Sequence, residues 1–216
     1  MISINIKSFY EKQKKISDSH PLRYKYYFPV TVRQIKFLDD YIQTLSNSIF
    51  IKKDLLKHHY FSNVNKSSFK DSFFINSLFL DNEEKNICFL KEAKYFYNTK
   101  NKLSFINNPL VKKDLLSVSL EYGILELMRK AVKKHGKIPS YVQNKILYHT
   151  YQYFKELRNN NEPIASLSFQ ERERFVELLE DCYQQLDPNL IIKFLKGGVK
   201  QDLTTQISFF YKKKWD

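Results

Sequence analysis

The 216-residue chain is poor in the residues that build phosphate-binding loops and cross-links. It has only four glycines and two cysteines, and the Gly-x-Ser-x-Gly pattern is absent. Scarce glycine disfavours a nucleophile elbow or a Gly-rich phosphate loop, because in both the backbone must turn sharply or approach a ligand closely. Cys88 and Cys182 lie far apart within apolar patterns. This pattern is typical of small buried side chains in a reducing compartment and does not indicate a disulfide.

Metal-binding and membrane-spanning patterns are missing as well. His58 and His59 are adjacent and so face apart, and no Cys or carboxylate stands at zinc-ligand spacing from them, from His135 or from His149. No apolar run reaches the roughly 18 residues of a membrane span, and residues 1–7 lack the apolar core of a signal peptide. The sequence therefore predicts a cytoplasmic protein that has no metal site of its own.

Acidic residues are too few to balance the basic ones, and the formal net charge is +13. Only six of the 36 basic residues are Arg. Since bidentate recognition of phosphate and guanine depends on Arg, this disfavours nucleic acid as a partner. Scattered Lys residues suit a phosphate-bearing polymer or a peripheral contact with anionic lipid at the inner face of the membrane, where each contributes about 1 kcal/mol. A solvated basic surface without a partner is the alternative.

The first hundred residues show short, mixed patterns. Residues 2–15 are compatible with a short helix. Clusters of β-favouring residues at 24–28, 33–37 and 45–51 predict strands or extended connectors, and a helical turn is predicted at 52–58.

A more regular pattern follows. Residues 69–80 are apolar on most sides, which predicts a helix wedged between layers. A polar turn at 81–86 and two short strands at 87–90 and 93–97 complete this part of the chain.

The second half is helical in pattern. Apolar residues repeat at steps of three and four from Leu115 to Val132. Helix ends are marked by a Gly stop at Gly136, Pro starts at Pro139 and Pro188, and a capping box opening at Ser168. The sequence thus predicts an α+β fold, with a mixed region at 1–108 and a helical region at 109–216, in which residues 114–195 form at least three packed helices.

Asp71, at the start of the predicted helix 69–80, is the best candidate for chemistry. A carboxylate in a first helical turn is stabilised as an anion by the helix dipole and can receive a proton. The alternative is a simple N-terminal cap in front of an aromatic core. These residues alone favour the cap.

Short motifs along the chain stand in an order that resembles a known enzyme family. They are His-Pro-Leu-Arg-Tyr at 20–24, Ile-Phe-Ile-Lys-Lys-Asp-Leu-Leu at 49–56, Lys-Asp at 70–71, Ala-Lys-Tyr-Phe-Tyr at 93–97 and Gly-Lys-Ile-Pro-Ser-Tyr-Val-Gln at 136–143. Over about Pro21 to Phe154 the chain resembles the acceptor-side, C-terminal half of bacterial family 2 glycosyltransferases, which build capsular polysaccharide or decorate teichoic acid. The resemblance rests on the order of these motifs along the chain, because each motif by itself is short.

The resemblance implies a partial GT-A-like fold followed by a helical extension. The implied reaction moves a sugar from a nucleotide-sugar to a hydroxyl of a cell-surface polysaccharide or teichoic acid. In it, Asp71 is the catalytic base and Lys100 stands near the leaving diphosphate. The implied substrate-binding residues are Lys70, Tyr97, Lys100, Tyr141 and Gln143.

The chain also departs from the family pattern. It has Lys70 where the family has Glu, and Asn98-Thr99-Lys100 where the family has Arg-x-Arg, and it contains no Asp-x-Asp. No cofactor is therefore expected in this chain, and Mg²⁺ or Mn²⁺ is expected only with a separately encoded nucleotide-sugar-binding half. The expected acceptor is a polysaccharide or a lipid-linked molecule. A non-catalytic basic interaction protein or an inactive gene remnant is the alternative from another class.

Overall fold

The computed structural model describes residues 1–18, 22–57, 59, 69–98, 116–159 and 165–196, without the side chains of 156–159 and 196. These residues form a mixed α+β structure, as the sequence predicts. The strands are β1 (Ile2–Tyr10), β2 (Lys15–Ser17), β3 (Val30–Gln34), β4 (Ile49–Phe50) and β5 (Asn86–Asn98). The α-helices are α1 (Lys70–Leu80), α2 (Glu126–His135), α3 (Ser140–Asn159), α4 (Phe169–Gln184) and α5 (Pro188–Lys196).

The strands form one sheet in the order β2-β1-β5-β3, and β4 also pairs with β1. The two central strands, β1 and β5, are parallel, whereas β2, β3 and β4 run antiparallel to their neighbours. Ile4 pairs with Leu90 and Asn5 with Lys94, so residues 91–93 form a bulge in β5. Such an insertion bends a strand and re-aims its side chains. The two strands predicted at 87–90 and 93–97 are therefore one strand interrupted by this bulge.

The prediction of a helix at 2–15 is wrong, because residues 2–10 form the strand β1. Ile2, Ile4 and Ile6 alternate along one face of this strand, and Ser3 and Asn5, on the other face, are buried. Two-residue alternation is the period of a strand. Both faces of β1 thus carry buried residues, and on one of them these residues are polar. The sequence therefore does not show buried apolar residues alternating with exposed polar ones.

The strands predicted at 24–28, 33–37 and 45–51 are confirmed only at residues 33–34 of β3 and 49–50 of β4, and 3-10 helices occupy most of the rest. These helices are Arg23–Tyr26, Ile35–Phe37 and Ser46–Ser48, and β4 keeps only two residues of the strand predicted at 45–51. Tertiary contacts fix the first of them, since the buried Tyr26 hydroxyl donates to the carbonyl of Ile4 at 2.8 Å. The helical turn predicted at 52–58 is confirmed as the 3-10 helix Lys53–Leu56.

The helix predicted at 69–80 is confirmed as α1. All seven of its residues from Phe74 to Leu80 are buried, as expected for a helix between layers. One hydrophobic core joins α1 to the sheet and to the C-terminal helices, through residues such as Phe89 of β5, Met128 of α2 and Leu179 of α4. The boundary predicted at 108/109 lies outside the described residues.

The C-terminal helices begin and end where the sequence predicts. Gly136 ends α2 in the left-handed conformation, with φ of 69°. Ser168 and Glu171 form both hydrogen bonds of the capping box of α4. From Leu116 to Lys196, apart from the undescribed 160–164, the chain is mainly helical, which confirms at least three packed helices. None of the helices among the described residues is long and apolar enough to cross a membrane.

Gly123 provides a test of how α1 is held. It lies in a π-helical segment, Leu120–Leu125, that leads into α2. A Cβ added to Gly123 would lie 2.8 Å from Cδ1 of Phe69, whose side chain is fully buried before α1. We expect Gly123→Ala to lower the free energy of unfolding by about 1–3 kcal/mol, because overpacked cores cannot relax freely. Urea denaturation measures this, and Phe69→Leu in the same background should recover part of the loss. An unchanged denaturation midpoint would contradict the described contact.

Candidate functional site

Asp71 lies in the first turn of α1, where the sequence places it. Its side chain is half-buried, and no hydrogen bond or ion pair to its carboxylate is found among the described residues. Phe69 occupies the N-cap position and its side chain makes no capping hydrogen bond. Among the described residues the carboxylate therefore makes no capping hydrogen bond. It lies at the positive end of the helix dipole, which stabilises the anion.

The other residues predicted near Asp71 are distributed differently. Lys70 is exposed beside it. Tyr97 lies near the end of β5, paired with Ser8, and is 37% exposed. The strand register places Tyr97 on the sheet face opposite to that of the core residue Phe89, because their partners in β1 are Ser8 and Ser3. Lys100 lies outside the described residues.

Tyr141 and Gln143, predicted to bind substrate, are buried and bonded to the protein. The Tyr141 hydroxyl donates to Glu83 Oε1 at 3.1 Å. Burial, and then the charge of Glu83, raise the pKa of Tyr141 well above its ordinary value. Gln143 Nε2 donates to the carbonyl of Ile138 at 2.8 Å, and its Oε1 accepts from the amide of Asp187 at 2.7 Å. The bond from Asp187 joins the start of α3 to the start of α5.

The structure does not bring Asp71 and Tyr141 together. Glu83, the partner of Tyr141, follows the C-terminal end of α1, whereas Asp71 lies at the N-terminal end. At about 1.5 Å of rise per residue, the two ends of this helix are roughly 15 Å apart. The predicted residues that the structure describes therefore do not form a single compact site.

A group that sequence reasoning missed lies in the core: Lys25, Lys145 and His149, which we call the buried cationic cluster. Lys25 is only 4% exposed. Its Nζ donates to the carbonyl of Ile42 at 2.6 Å and to Gln43 Oε1 at 3.1 Å. Because burial disfavours the charged form, it lowers the pKa of Lys25 to about 7.

Lys145 and His149 lie one helical turn apart on α3. Lys145 is 1% exposed, and its Nζ and the His149 Nε2 have no hydrogen-bond partner in the described structure. Burial, and then the charge of Lys25, lower the pKa of Lys145 well below its ordinary value. Burial, and then Lys145, do the same to the pKa of His149. All three groups are thus shifted toward their neutral forms.

Phe69 connects this cluster to the start of α1. Its ring centroid is 5.9 Å from Lys145 Nζ and 4.6 Å from the His149 ring. Phe69 precedes Asp71 by two residues, so the cluster lies beside the N-terminal end of α1. Burial, and then charge repulsion from Lys25, lower the pKa of Lys145, and no ion pair between Lys145 and Asp71 is found among the described residues.

A neutral amine in an apolar site next to a second basic group is a base and a nucleophile at neutral pH. The cluster can therefore accept protons or bind an anion. One sequence signal pointed to it: Lys145 and His149 lie among the apolar positions of α3, beside Val142 and Ile146. Lys25 has no such signal, because its burial results from the 3-10 helix that carries it.

No set of three or more His, Cys, Asp or Glu side chains that could hold a metal ion occurs among the described residues. We therefore assign no metal ligand to this part of the chain. A Mg²⁺ or Mn²⁺ ion remains a prediction for the separately encoded half.

Comparisons of the chain with protein-family models, with curated proteins and with solved structures give no match.

Proposed function

We propose that this chain is the acceptor-side part of a glycosyltransferase that works with a separately encoded nucleotide-sugar-binding half. The acceptor is a hydroxyl of a cell-surface polysaccharide or teichoic acid, free or lipid-linked. The observation that carries the proposal is the Asp71 carboxylate, which lies half-buried at the N-terminal end of α1 and makes no hydrogen bond or ion pair among the described residues.

In the proposed reaction Asp71 acts as the general base. Its carboxylate takes the proton of the acceptor hydroxyl as the oxygen attacks the anomeric carbon of the donor sugar. The new carbon–oxygen bond forms as the bond to the nucleoside diphosphate breaks, and the diphosphate leaves with the bonding electron pair. A half-buried carboxylate within reach of an acceptor hydroxyl meets the requirements of this step.

Three further features support the proposal. The motifs that resemble the family follow its order along the chain, and the segment around Asp71 folds as a helix followed by a strand, α1 and β5. The net charge of +13 favours a polymer that carries phosphate or an anionic membrane surface. On this proposal the protein works in the cytoplasm, peripherally at the inner face of the membrane.

Removal of the gene tests the proposal. We expect membranes from source cells that lack the chain to incorporate less labelled sugar from nucleotide-sugars into polymer, and membranes from complemented cells to recover the wild-type level. The separately encoded half is then present in both preparations. Equal incorporation with and without the chain would contradict the proposal and favour the alternative, a non-catalytic interaction protein or an inactive remnant.

A further inference from the structure

A second, open site lies over the bulge of β5. It is a cleft of about 330 Å³ formed by β1, the bulge and the 3-10 helix Arg23–Tyr26, and we call it the bulge cleft. Its strand residues come from the middle of β1 and of β5, the two parallel strands. A β-bulge beside a cleft commonly re-aims side chains toward the site.

The cleft contains a buried polar group that the protein leaves unsatisfied. Asn5 is 4% exposed and lines the cleft, and its Oδ1 has no hydrogen-bond partner. A buried carbonyl without a donor costs about 1–3 kcal/mol. Native proteins rarely retain such a group without a reason. Oδ1 itself is covered, so a hydroxyl or N–H of a ligand in the cleft would satisfy it once the atoms that cover it move aside.

Basic side chains surround Asn5: Lys7, Arg23, Lys91 and Lys94. The acidic residues that line the cleft are Asp18 and Glu92, so the lining carries two more positive than negative charges.

Several of these basic side chains already form ion pairs or hydrogen bonds within the protein. Lys7 forms an ion pair with Asp18, and Arg23 Nη1 donates to the Asp18 carbonyl at 2.8 Å. Lys91 Nζ donates to the carbonyl of Tyr27 at 3.3 Å. Lys94 is exposed, pairs with Asn5 in the strand register, and forms no ion pair among the described residues. The cleft therefore offers a cation directly beside the unsatisfied acceptor.

From this arrangement we infer that the bulge cleft binds a hydroxylated phosphate ester, such as a sugar phosphate or polyol phosphate. The phosphate meets Lys94 and the remaining donors of Lys91 and Arg23, and a hydroxyl donates to Asn5 Oδ1. Both groups are needed for tight binding. Inorganic phosphate dianion at neutral pH has no sugar-like hydroxyl, and a free polyol has no charge. The inference does not depend on sugar transfer, since Asp71 does not line the cleft.

Calorimetry on the full chain tests the inference. We expect glycerol 3-phosphate or glucose 6-phosphate to bind at least about tenfold more tightly than inorganic phosphate, glycerol or glucose, since a hydrogen bond involving a charged group contributes about 1.5–3 kcal/mol. Sedimentation with vesicles of phosphatidylcholine and phosphatidylglycerol in equal parts asks whether a lipid headgroup supplies the same chemistry. Binding to the soluble esters alone identifies a small molecule, and binding to the vesicles alone identifies the lipid. Binding to neither overturns the inference.

Two variants separate the two parts of the site. Lys94→Gln should weaken the ester about tenfold or more and weaken inorganic phosphate as well, because it removes the charge. Asn5→Val should reduce the ester to the affinity of inorganic phosphate and leave inorganic phosphate unchanged. Lys133→Gln, an exposed Lys at the end of α2, is the matched control and should bind as the wild type does. Lys94→Gln changes an exposed side chain and keeps the test valid if Asn5→Val fails to fold. Unchanged ester binding by Lys94→Gln would overturn the inference.

Discussion

Replacing Asp71 by Asn is expected to lower sugar transfer by a factor of about 10²–10⁴ and to leave the stability of the chain nearly unchanged. Asn has the shape of Asp but cannot take a proton from the acceptor hydroxyl, and loss of a general base has this magnitude. The free energy of unfolding should change by less than about 0.5 kcal/mol, because no hydrogen bond to the carboxylate is lost among the described residues. Incorporation of labelled sugar by membranes from complemented cells measures the rate, and urea denaturation measures the stability.

Asp54→Asn is the matched control for this prediction. Asp54 is also an Asp in a first helical turn, that of the 3-10 helix Lys53–Leu56, and it is exposed. Its only described ion pair, with Lys52 at 3.4 Å, joins two exposed side chains and contributes little. Transfer by this variant should equal that of the wild type. If Asp71→Asn also transfers at the wild-type rate, Asp71 is not the base and the proposed reaction fails.

The stability of the chain is expected to rise steeply between pH 7 and about pH 9.5. Burial lowers the pKa of Lys25 from its ordinary 10.5 to about 7. Between these values the unfolded state binds more protons than the folded state, so the free energy of unfolding increases as the pH rises. Lys25 alone should contribute about 3 kcal/mol over this interval. Lys145 acts in the same direction because its pKa is also lowered by burial.

Urea denaturation at several pH values measures this slope. Above about pH 10 the stability should fall again, because burial raises the pKa of Tyr24, Tyr26 and Tyr148 and the unfolded state then loses its tyrosine protons first. Lys25→Met should remove a large part of the rise, whereas Lys133→Met, at an exposed position, should keep it. A flat profile for the wild type between pH 7 and 9.5 would show that Lys25 is accessible to water.

The two lysines also explain why a buried site in this protein was hard to predict. Lys145 lies on an apolar face of α3, so its position in the helix is visible in the sequence. Its proximity to Lys25 is not visible, because about 120 residues separate the two and only the packing of the 3-10 helix Arg23–Tyr26 brings them together. Electrostatic shifts of this kind depend on distance in space, which local pattern does not determine.

The sequence by itself determined the helical half of the protein. The stop at Gly136, the capping box at Ser168 and the apolar pattern of α1 act within a few residues of the chain, and the structure follows all three. It also placed Asp71 in a first helical turn. Helical signals are local because each backbone hydrogen bond joins residues four apart.

Only the tertiary structure decided the sheet and the sites that depend on it. β1 pairs with β5 across more than 80 residues, and this pairing creates the bulge, buries Asn5 and opens the bulge cleft. The same pairing placed Tyr97 on the sheet face opposite to that of Phe89, and the packing of α3 put Tyr141 far from Asp71. Strand pairing is set by contacts between distant segments, so a mixed pattern such as that of residues 2–10 is resolved only when its partner strand is in place.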